Sequence, residues 1–90
     1  MPRLSEFQIE QRLAALSGWE RRGDEIRRTF AFASFAESLA FVNRVGALAA
    51  AADHHPDIDI RYSKVTLALS THDAAGLTAK DFELAAQIGG

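Results

Sequence analysis

The fold turns on residues 57–70, which read DIDIRYSKVTLALS. Ile58, Ile60 and Tyr62 alternate with Asp57, Asp59 and Arg61. After a turn near Ser63–Lys64, Val65, Leu67 and Leu69 alternate with Thr66, Ala68 and Ser70. A period of two with the apolar residues on one side describes a strand that buries one face and wets the other. Two such runs joined by a short polar turn describe an antiparallel hairpin. The apolar face of that hairpin needs a cover, which must come from the flanking sequence.

Helices flank it on both sides. Ser34–Phe35–Ala36–Glu37 opens a helix expected over Phe35 to about Ala52, and Thr78–Ala79–Lys80–Asp81 opens another from Ala79 to about Ile88. In each, a hydroxyl precedes by three residues a side chain able to reach back, the pattern of a capping box. Ser5–Glu6–Phe7–Gln8 is a third, and its helix carries Ile9, Leu13 and Leu16 before ending near Ser17–Gly18. Each cap satisfies orphan amide donors and contributes about 1 kcal/mol. Between the first two helices the period returns to two. Ile26, Phe30 and Phe32 alternate with Arg27, Thr29 and Ala31, and Gly23–Asp24 turns the chain back toward Trp19. Arg21, Arg22, Arg27 and Arg28 then read as the solvated side of this hairpin.

The order is α-β-β-α-β-β-α. The expectation is an α+β fold: one domain over residues 1–90, a four-stranded antiparallel sheet, and three helices packed on one face. The middle helix has surplus apolar surface. Phe35, Leu39, Val42 and Ala49 form one stripe and Phe41, Val45 and Leu48 its neighbour. Together they exceed the ~100° that docking on a single sheet requires, so a second partner, most simply another subunit, is expected. The final helix should bury Phe82, Ala85 and Ile88.

Bulk composition narrows the function classes. The chain has 90 residues, 48% of them hydrophobic, a net charge of −2 and no cysteine. Disulfides, thiolate ligands and a cysteine nucleophile are excluded. A net negative charge argues against general attraction to nucleic acid or anionic lipid. The charged N-terminal stretch lacks the apolar core of a signal peptide, and no apolar run approaches the ~20 residues that cross a bilayer. A cytoplasmic protein that engages neither membrane nor nucleic acid is expected.

All three histidines, His54, His55 and His72, fall within nineteen residues. His54 and His55 stand where the second helix gives out. Pro56 marks that exit, because the residue before proline is pushed out of helical geometry. His72 follows the fourth strand, so two loops at one end of the hairpin can bring the imidazoles together. Three histidines can hold zinc with one position open. Adjacent histidines on extended backbone, however, point to opposite sides, and no Glu-x-x-His or His-x-x-x-His pair is present. No metal is expected. A Ser70–His72–Asp81 hydrolase lacks any nucleophile-elbow signature. On local grounds alone Asp81 is the capping acid of the last helix.

Residues 54–81, HHPDIDIRYSKVTLALSTHDAAGLTAKD, closely resemble the pterin-4a-carbinolamine dehydratase family. That family carries His-His-Pro, five residues, an aromatic, nine residues, a histidine, then an aspartate opening the last helix. His54, His55, Pro56, Tyr62, His72 and Asp81 meet those spacings. The resemblance implies a 4a-hydroxytetrahydropterin substrate, dehydrated to the quinonoid dihydropterin. That step recycles the cofactor of an aromatic amino acid hydroxylase and needs no cofactor of its own. It implies His54, His55, His72 and Asp81 as catalytic residues, with His54 and His72 carrying the proton transfers. Asp53, His54, His55, Ser70, Thr71, His72 and Asp73 are implied as the pterin-binding set, largely through backbone groups. A homodimer or homotetramer is implied, with subunits pairing through sheet edges and through the second helix. Animal members of the family also serve as dimerisation partners of a transcription factor, so a protein-binding module is the alternative. One position departs from the pattern. Four residues before His54, where the family usually has an acidic or polar residue able to orient an imidazole, stands Ala50. Asp53 and Asp57 are the nearby acids that would compensate.

Overall fold

The computed structural model describes residues 2–89. Its helices are α1 (Glu6–Ala14), α2 (Phe35–Ala52) and α3 (Ala79–Ile88). Its strands are β1 (Glu20–Arg22), β2 (Glu25–Ala31), β3 (Asp57–Arg61) and β4 (Lys64–Leu69). A single 3-10 turn, His72–Ala74, precedes α3. The two hairpins β1–β2 and β3–β4 join through β2 and β4, giving the antiparallel order β1-β2-β4-β3. Ile26 lies opposite Leu69 and Phe30 opposite Val65, while Ile60 flanks Val65 from the other side. Paired residues share a face, so Ile26, Phe30, Ile60, Val65, Leu67 and Leu69 line the side that the helices cover. Against them pack Ile9 of α1, Phe41, Val45 and Ala49 of α2, and Phe82, Leu84, Ala85 and Ile88 of α3. Phe30 is central to the aromatic packing, 4.5 Å from Phe41 and edge-on to Trp19 at 6.1 Å between ring centroids.

The helix starts follow the capping pattern. Gln8 N–H donates to Ser5 Oγ at 3.2 Å and Ser5 N–H to Gln8 Oε1 at 2.9 Å. Glu37 N–H donates to Ser34 Oγ at 3.2 Å. In α3 the acid reaches back, with Thr78 N–H donating to Asp81 Oδ2 at 2.9 Å.

Four local expectations need correcting. Arg61 lies opposite Lys64, so the hairpin loop is Tyr62–Ser63, and Lys64 belongs to β4. Tyr62 takes a left-handed φ of 53° and is 72% exposed. It leaves the apolar alternation because a two-residue hairpin loop demands positive φ. Second, Arg28 lies opposite Leu67 on the helix side, while Arg27 lies opposite Ala68 on the open side. Neighbouring residues of one strand cannot share a face. Arg21 also turns to the helix side, where it binds Glu6 of α1 and holds that carboxyl below its ordinary value. Third, Ala49 is buried with Ser38, Phe41 and Val45 rather than grouped with Phe35 and Leu39, which are 45% and 41% exposed and supply the surplus apolar surface expected of this helix. Fourth, α2 stops before Pro56 can act. Asp53 adopts a left-handed φ of 52°, its N–H reaches Ala50 O at 3.2 Å, and His54 N–H reaches Ala49 O at 3.1 Å. These two bonds form a Schellman closure.

Candidate functional site

That closure delivers the first two histidines. With Asp53 folded back, His54 turns toward the protein, its side chain 11% exposed, whereas His55 faces solvent. His54 Nε2 meets Asp81 Oδ1 at 2.6 Å. Asp81 is fully buried in the first turn of α3. Its other oxygen, Oδ2, accepts from Thr71 Oγ1 at 2.8 Å and from Thr78 N–H at 2.9 Å. The Thr71 and Thr78 hydroxyls lie 2.8 Å apart. Asp81 is therefore both the capping acid read from local sequence and the partner of an imidazole 27 residues away in the chain.

The loop between β4 and α3 supplies the other wall. Thr71 and Gly76 form an isolated bridge, with Thr71 N–H donating to Gly76 O at 3.0 Å, and Ala75 closes the 3-10 turn in left-handed geometry. The Arg3 side chain lies over Gly76, where a Cβ would come 2.4 Å from Arg3 Cδ and push that side chain aside. Leu4 N–H donates to Leu77 O at 2.8 Å, so the N-terminal segment straps this loop from outside. His72 is thereby held at the rim, exposed.

Between these walls is a cavity of about 310 Å³ lined by Asp53, His54, His55, Ser70, Thr71, His72, Asp73 and Lys80. That volume falls at the lower end for small-molecule sites, which run roughly 300–1,000 Å³. All seven residues of the implied binding set border it. Asp81 lies behind the wall and meets the cavity through His54. Asp53 borders it and Asp57 does not, so of the two acids near Ala50 only Asp53 is placed at the site. Ala50 itself is exposed. The carboxylate that orients an imidazole here comes from α3.

Sequence reading missed Lys80 and the side-chain roles of Thr71 and Thr78. Lys80 carried a weak signal, since it shares the first turn of α3 with Asp81. The threonine bonds carried none, because hydroxyl rotamers are set by tertiary neighbours.

A larger hollow of about 640 Å³ lies on the open sheet face, bordered by Arg22, Arg27, Arg61, Glu20, Asp59 and the Thr29–Thr66 hydroxyl pair, among others. Three of its four arginines are matched by acids, Arg22 with Glu20 at 3.6 Å, Arg61 with Asp59 at 3.3 Å, and Arg27 with Glu25, while the fourth, Arg28, donates to backbone carbonyls. It contains no imidazole, so the smaller cavity is the better-equipped site for proton transfer. Among the described residues, no group of three or more His, Cys, Asp or Glu side chains is arranged to hold a metal ion. Nor, among these residues, is any helix long and apolar enough to cross a membrane.

A four-stranded antiparallel sheet under three helices, with imidazoles and a buried carboxylate gathered where two loops meet, defines a class of small α+β proteins with an acid–base cleft. Comparison with known proteins makes the assignment specific. The profile of the family described as pterin 4 alpha carbinolamine dehydratase matches residues 2–90, and the chain belongs to that family. A protein of Roseiflexus castenholzii, named provisionally as a pterin-4-alpha-carbinolamine dehydratase, is 64% identical over 94% of this chain and 91% of its own length. One from Chloroflexus aurantiacus with the same provisional name is 59% identical over 98% and 95%. Among solved structures, a protein from Brucella melitensis described as a transcriptional coactivator/pterin dehydratase superposes with a TM-score of 0.92. It is 32% identical over 96% of this chain and 94% of its own. A pterin dehydratase-like protein described as a RuBisCO assembly factor of the alpha-carboxysome shares the fold, with a TM-score of 0.64 at 22% identity over 78% of this chain and 81% of its own.

Proposed function

We propose that this chain dehydrates a 4a-hydroxytetrahydropterin to the quinonoid dihydropterin by general acid–base catalysis. The observation that carries the reading is the His54–Asp81 pair on the wall of a cavity that His55 and His72 also border. The reaction breaks the C4a–O bond, delivers a proton to the departing hydroxyl and removes one from the adjacent ring nitrogen, so that water leaves. Imidazole suits both tasks, because its unperturbed pKa of about 6.5 lies near neutrality. Each well-placed acid or base contributes about 10²–10⁴-fold. Asp81 orients His54 by accepting its Nε2–H, which leaves Nδ1 as the nitrogen available for exchange. His72, on the opposite loop, is the second proton-transfer group, and His55 assists with position and charge. Backbone groups of Asp53 and of Ser70 to Asp73 would seat the flat heterocycle. No cofactor and no metal ion enter this scheme. The physiological place of the step would be cytoplasmic, beside an aromatic amino acid hydroxylase.

Dehydration of chemically generated substrate, followed by stopped flow, tests the reading. Acceleration over the buffer background should fall by at least about 10³-fold in the double variant His54→Ala with His72→Ala, while that variant still melts cooperatively. Wild-type turnover in the folded double variant would remove the assignment.

A second reading has its own observation. Phe35 and Leu39 stand exposed on α2, next to the stripe that meets the sheet. This surface suits self-association into dimers or tetramers, or a protein partner. The Brucella relative's description as a coactivator is in keeping with the latter.

A further inference from the structure

The buried polar cluster behind His54 has more parts than a proton-transfer pair requires. Asp81 Oδ2 takes two hydrogen bonds, from Thr71 Oγ1 and from Thr78 N–H. With both of its donors fixed, the remaining hydrogen of the cluster lies on the short axis between Asp81 Oδ1 and His54 Nε2. Thr71 has a single hydroxyl hydrogen, which goes to Asp81. The 2.8 Å contact between the two hydroxyls must then be filled by the Thr78 hydrogen, donated to Thr71 Oγ1. The hydrogens thus run one way, from Thr78 to Thr71 to Asp81, and they end at the ring of His54.

The four members come from three parts of the fold. Thr71 lies in the bridge with Gly76 that closes the site loop, Thr78 and Asp81 open α3, and His54 follows the Schellman turn of α2. Among the described residues, no buried side-chain nitrogen or oxygen lacks a partner. Removing one hydroxyl would leave a fully buried carboxylate oxygen short of a donor. The carboxylate could then rotate to recover one, and its grip on the imidazole would loosen.

We propose that Thr71 is a positioning residue: its hydroxyl locks the Asp81 carboxylate in one rotamer, which fixes His54 as the Nε2–H tautomer with Nδ1 presented to the substrate cavity. The functional half of this statement rests on the dehydratase reading, whereas the tautomer half does not. The backbone of Thr71 is among the groups that would seat the substrate, but its hydroxyl, bonded to Asp81 and Thr78, acts on the reaction through Asp81 and His54. Its effect should therefore fall on turnover rather than on substrate binding.

The test uses the full-length chain and the variants Thr71→Val, which keeps the shape and loses the donor, and Thr71→Ser, which restores it. In ¹⁵N–¹H spectra at neutral pH the wild type should show a low-field, slowly exchanging ring N–H assigned to His54 Nε2. That signal should be lost in Thr71→Val and recovered in Thr71→Ser. In the dehydration assay kcat should fall by about 10–100-fold in Thr71→Val, the usual cost of losing a supporting partner. KM should stay within about threefold, and Thr71→Ser should recover most of the rate. A His54 signal and a kcat both unchanged in Thr71→Val would overturn the proposal. So would a folded wild type with no protected His54 Nε2–H, a measurement that needs no variant to fold. A wild type that shows the ring signal but no dehydratase activity would refute the proposed function alone, and the spectra would still decide the role of Thr71.

Discussion

The two ends of α3 solve the same problem with different chemistry. Every helix leaves four amide donors and four carbonyl acceptors without internal partners. At the N-terminal end Asp81 answers Thr78 N–H, and the same carboxylate also holds His54 and Thr71. At the C-terminal end, Ile88 O accepts from Arg44 Nη2 at 2.9 Å. Gly89 O accepts from Arg28 Nη1 at 2.6 Å and from Trp19 Nε1 at 3.2 Å. Two guanidiniums at a helix C-terminus also complement its dipole. Arg28 is further fixed by Ser17 O at 2.9 Å and lies over the Phe30 ring at 4.4 Å. The C-terminal clamp uses two guanidiniums and an indole N–H and does not border the histidine cavity. The N-terminal cluster uses an imidazole, the side chain whose unperturbed pKa lies near neutrality, and places it on a cavity wall. One end is built to hold, and the other is where the proposed function would exchange protons.

Variants at the two ends should separate these roles. The largest effect is expected at the N-terminal end. Asp81→Asn keeps the shape but can offer an N–H where His54 needs an acceptor, so the ring flips its tautomer. Turnover should fall by about 10²-fold or more, and denaturant unfolding should show a smaller loss of about 1–3 kcal/mol from the disturbed buried bonds. Equal turnover in Asp81→Asn and wild type would erase the contrast between the ends. Arg28→Ala comes next and should invert the pattern. Two carbonyls lose a charged donor, costing about 1.5–3 kcal/mol in urea unfolding, with turnover per folded molecule unchanged. Trp19→Phe removes the N–H together with part of the buried indole and keeps a ring against Phe30. The lost hydrogen bond costs about 0.5–1.5 kcal/mol and the lost packing adds to it, read as a drop in melting temperature.

The smallest effect serves as a control away from both ends. Arg21, hydrogen-bonded to Glu6, lowers that carboxyl from its ordinary 4.5. A group with a depressed folded pKa contributes stability in full above its unfolded value and loses it as pH falls through the folded one. The contribution should be present above about pH 4.5 and fade at more acid pH. Glu6→Gln should flatten only that part of the melting-temperature profile below this value and leave neutral-pH stability almost unchanged. A profile identical to wild type would mean the pair is too solvated to matter.

Most of the fold was legible because its signals are periodic. The alternations around Ile26–Phe30, Ile58–Ile60 and Val65–Leu69 placed three strands, the Gly23–Asp24 turn implied the fourth, and three hydroxyl caps placed the helix starts. Departures arose where tertiary geometry overrules a local pattern. Tyr62 continues the apolar alternation in sequence but is claimed by the turn. Ile58 has the right parity, yet β3 is an edge strand that the helices cover incompletely, and the residue is 40% exposed. Arg28 was misread because four arginines in one hairpin suggest a wet face, although the period of the strand already put Arg27 and Arg28 on opposite sides. At the candidate site, residue types and spacings pointed to the three histidines, while the place of Asp81 there and the bordering loop residues came from the family resemblance. The sequence could not give the reach of Asp81 to Thr71, or the turn of Asp53 that aims His54 inward. Both depend on which side chain a distant backbone happens to present.

The central pairing of β2 with β4 has a kinetic consequence. Ile26 faces Leu69 and Ala31 faces Lys64, so the whole of α2 and β3 lies in the loop that this contact closes. Each hairpin and each helix can form from near neighbours, but joining the hairpins must first overcome the entropy of that long loop. Contacts of such sequence separation slow folding relative to helical bundles of similar size. His54 lies inside the closed segment and Thr71 and Asp81 just beyond it. The β3–β4 hairpin already brings the two cavity loops to one end, but α2 and α3, which place His54 and Asp81, pack into a core that includes Ile26 and Phe30 of β2. Activity should appear only with the last, cooperative step of folding, which would make turnover a direct count of native molecules.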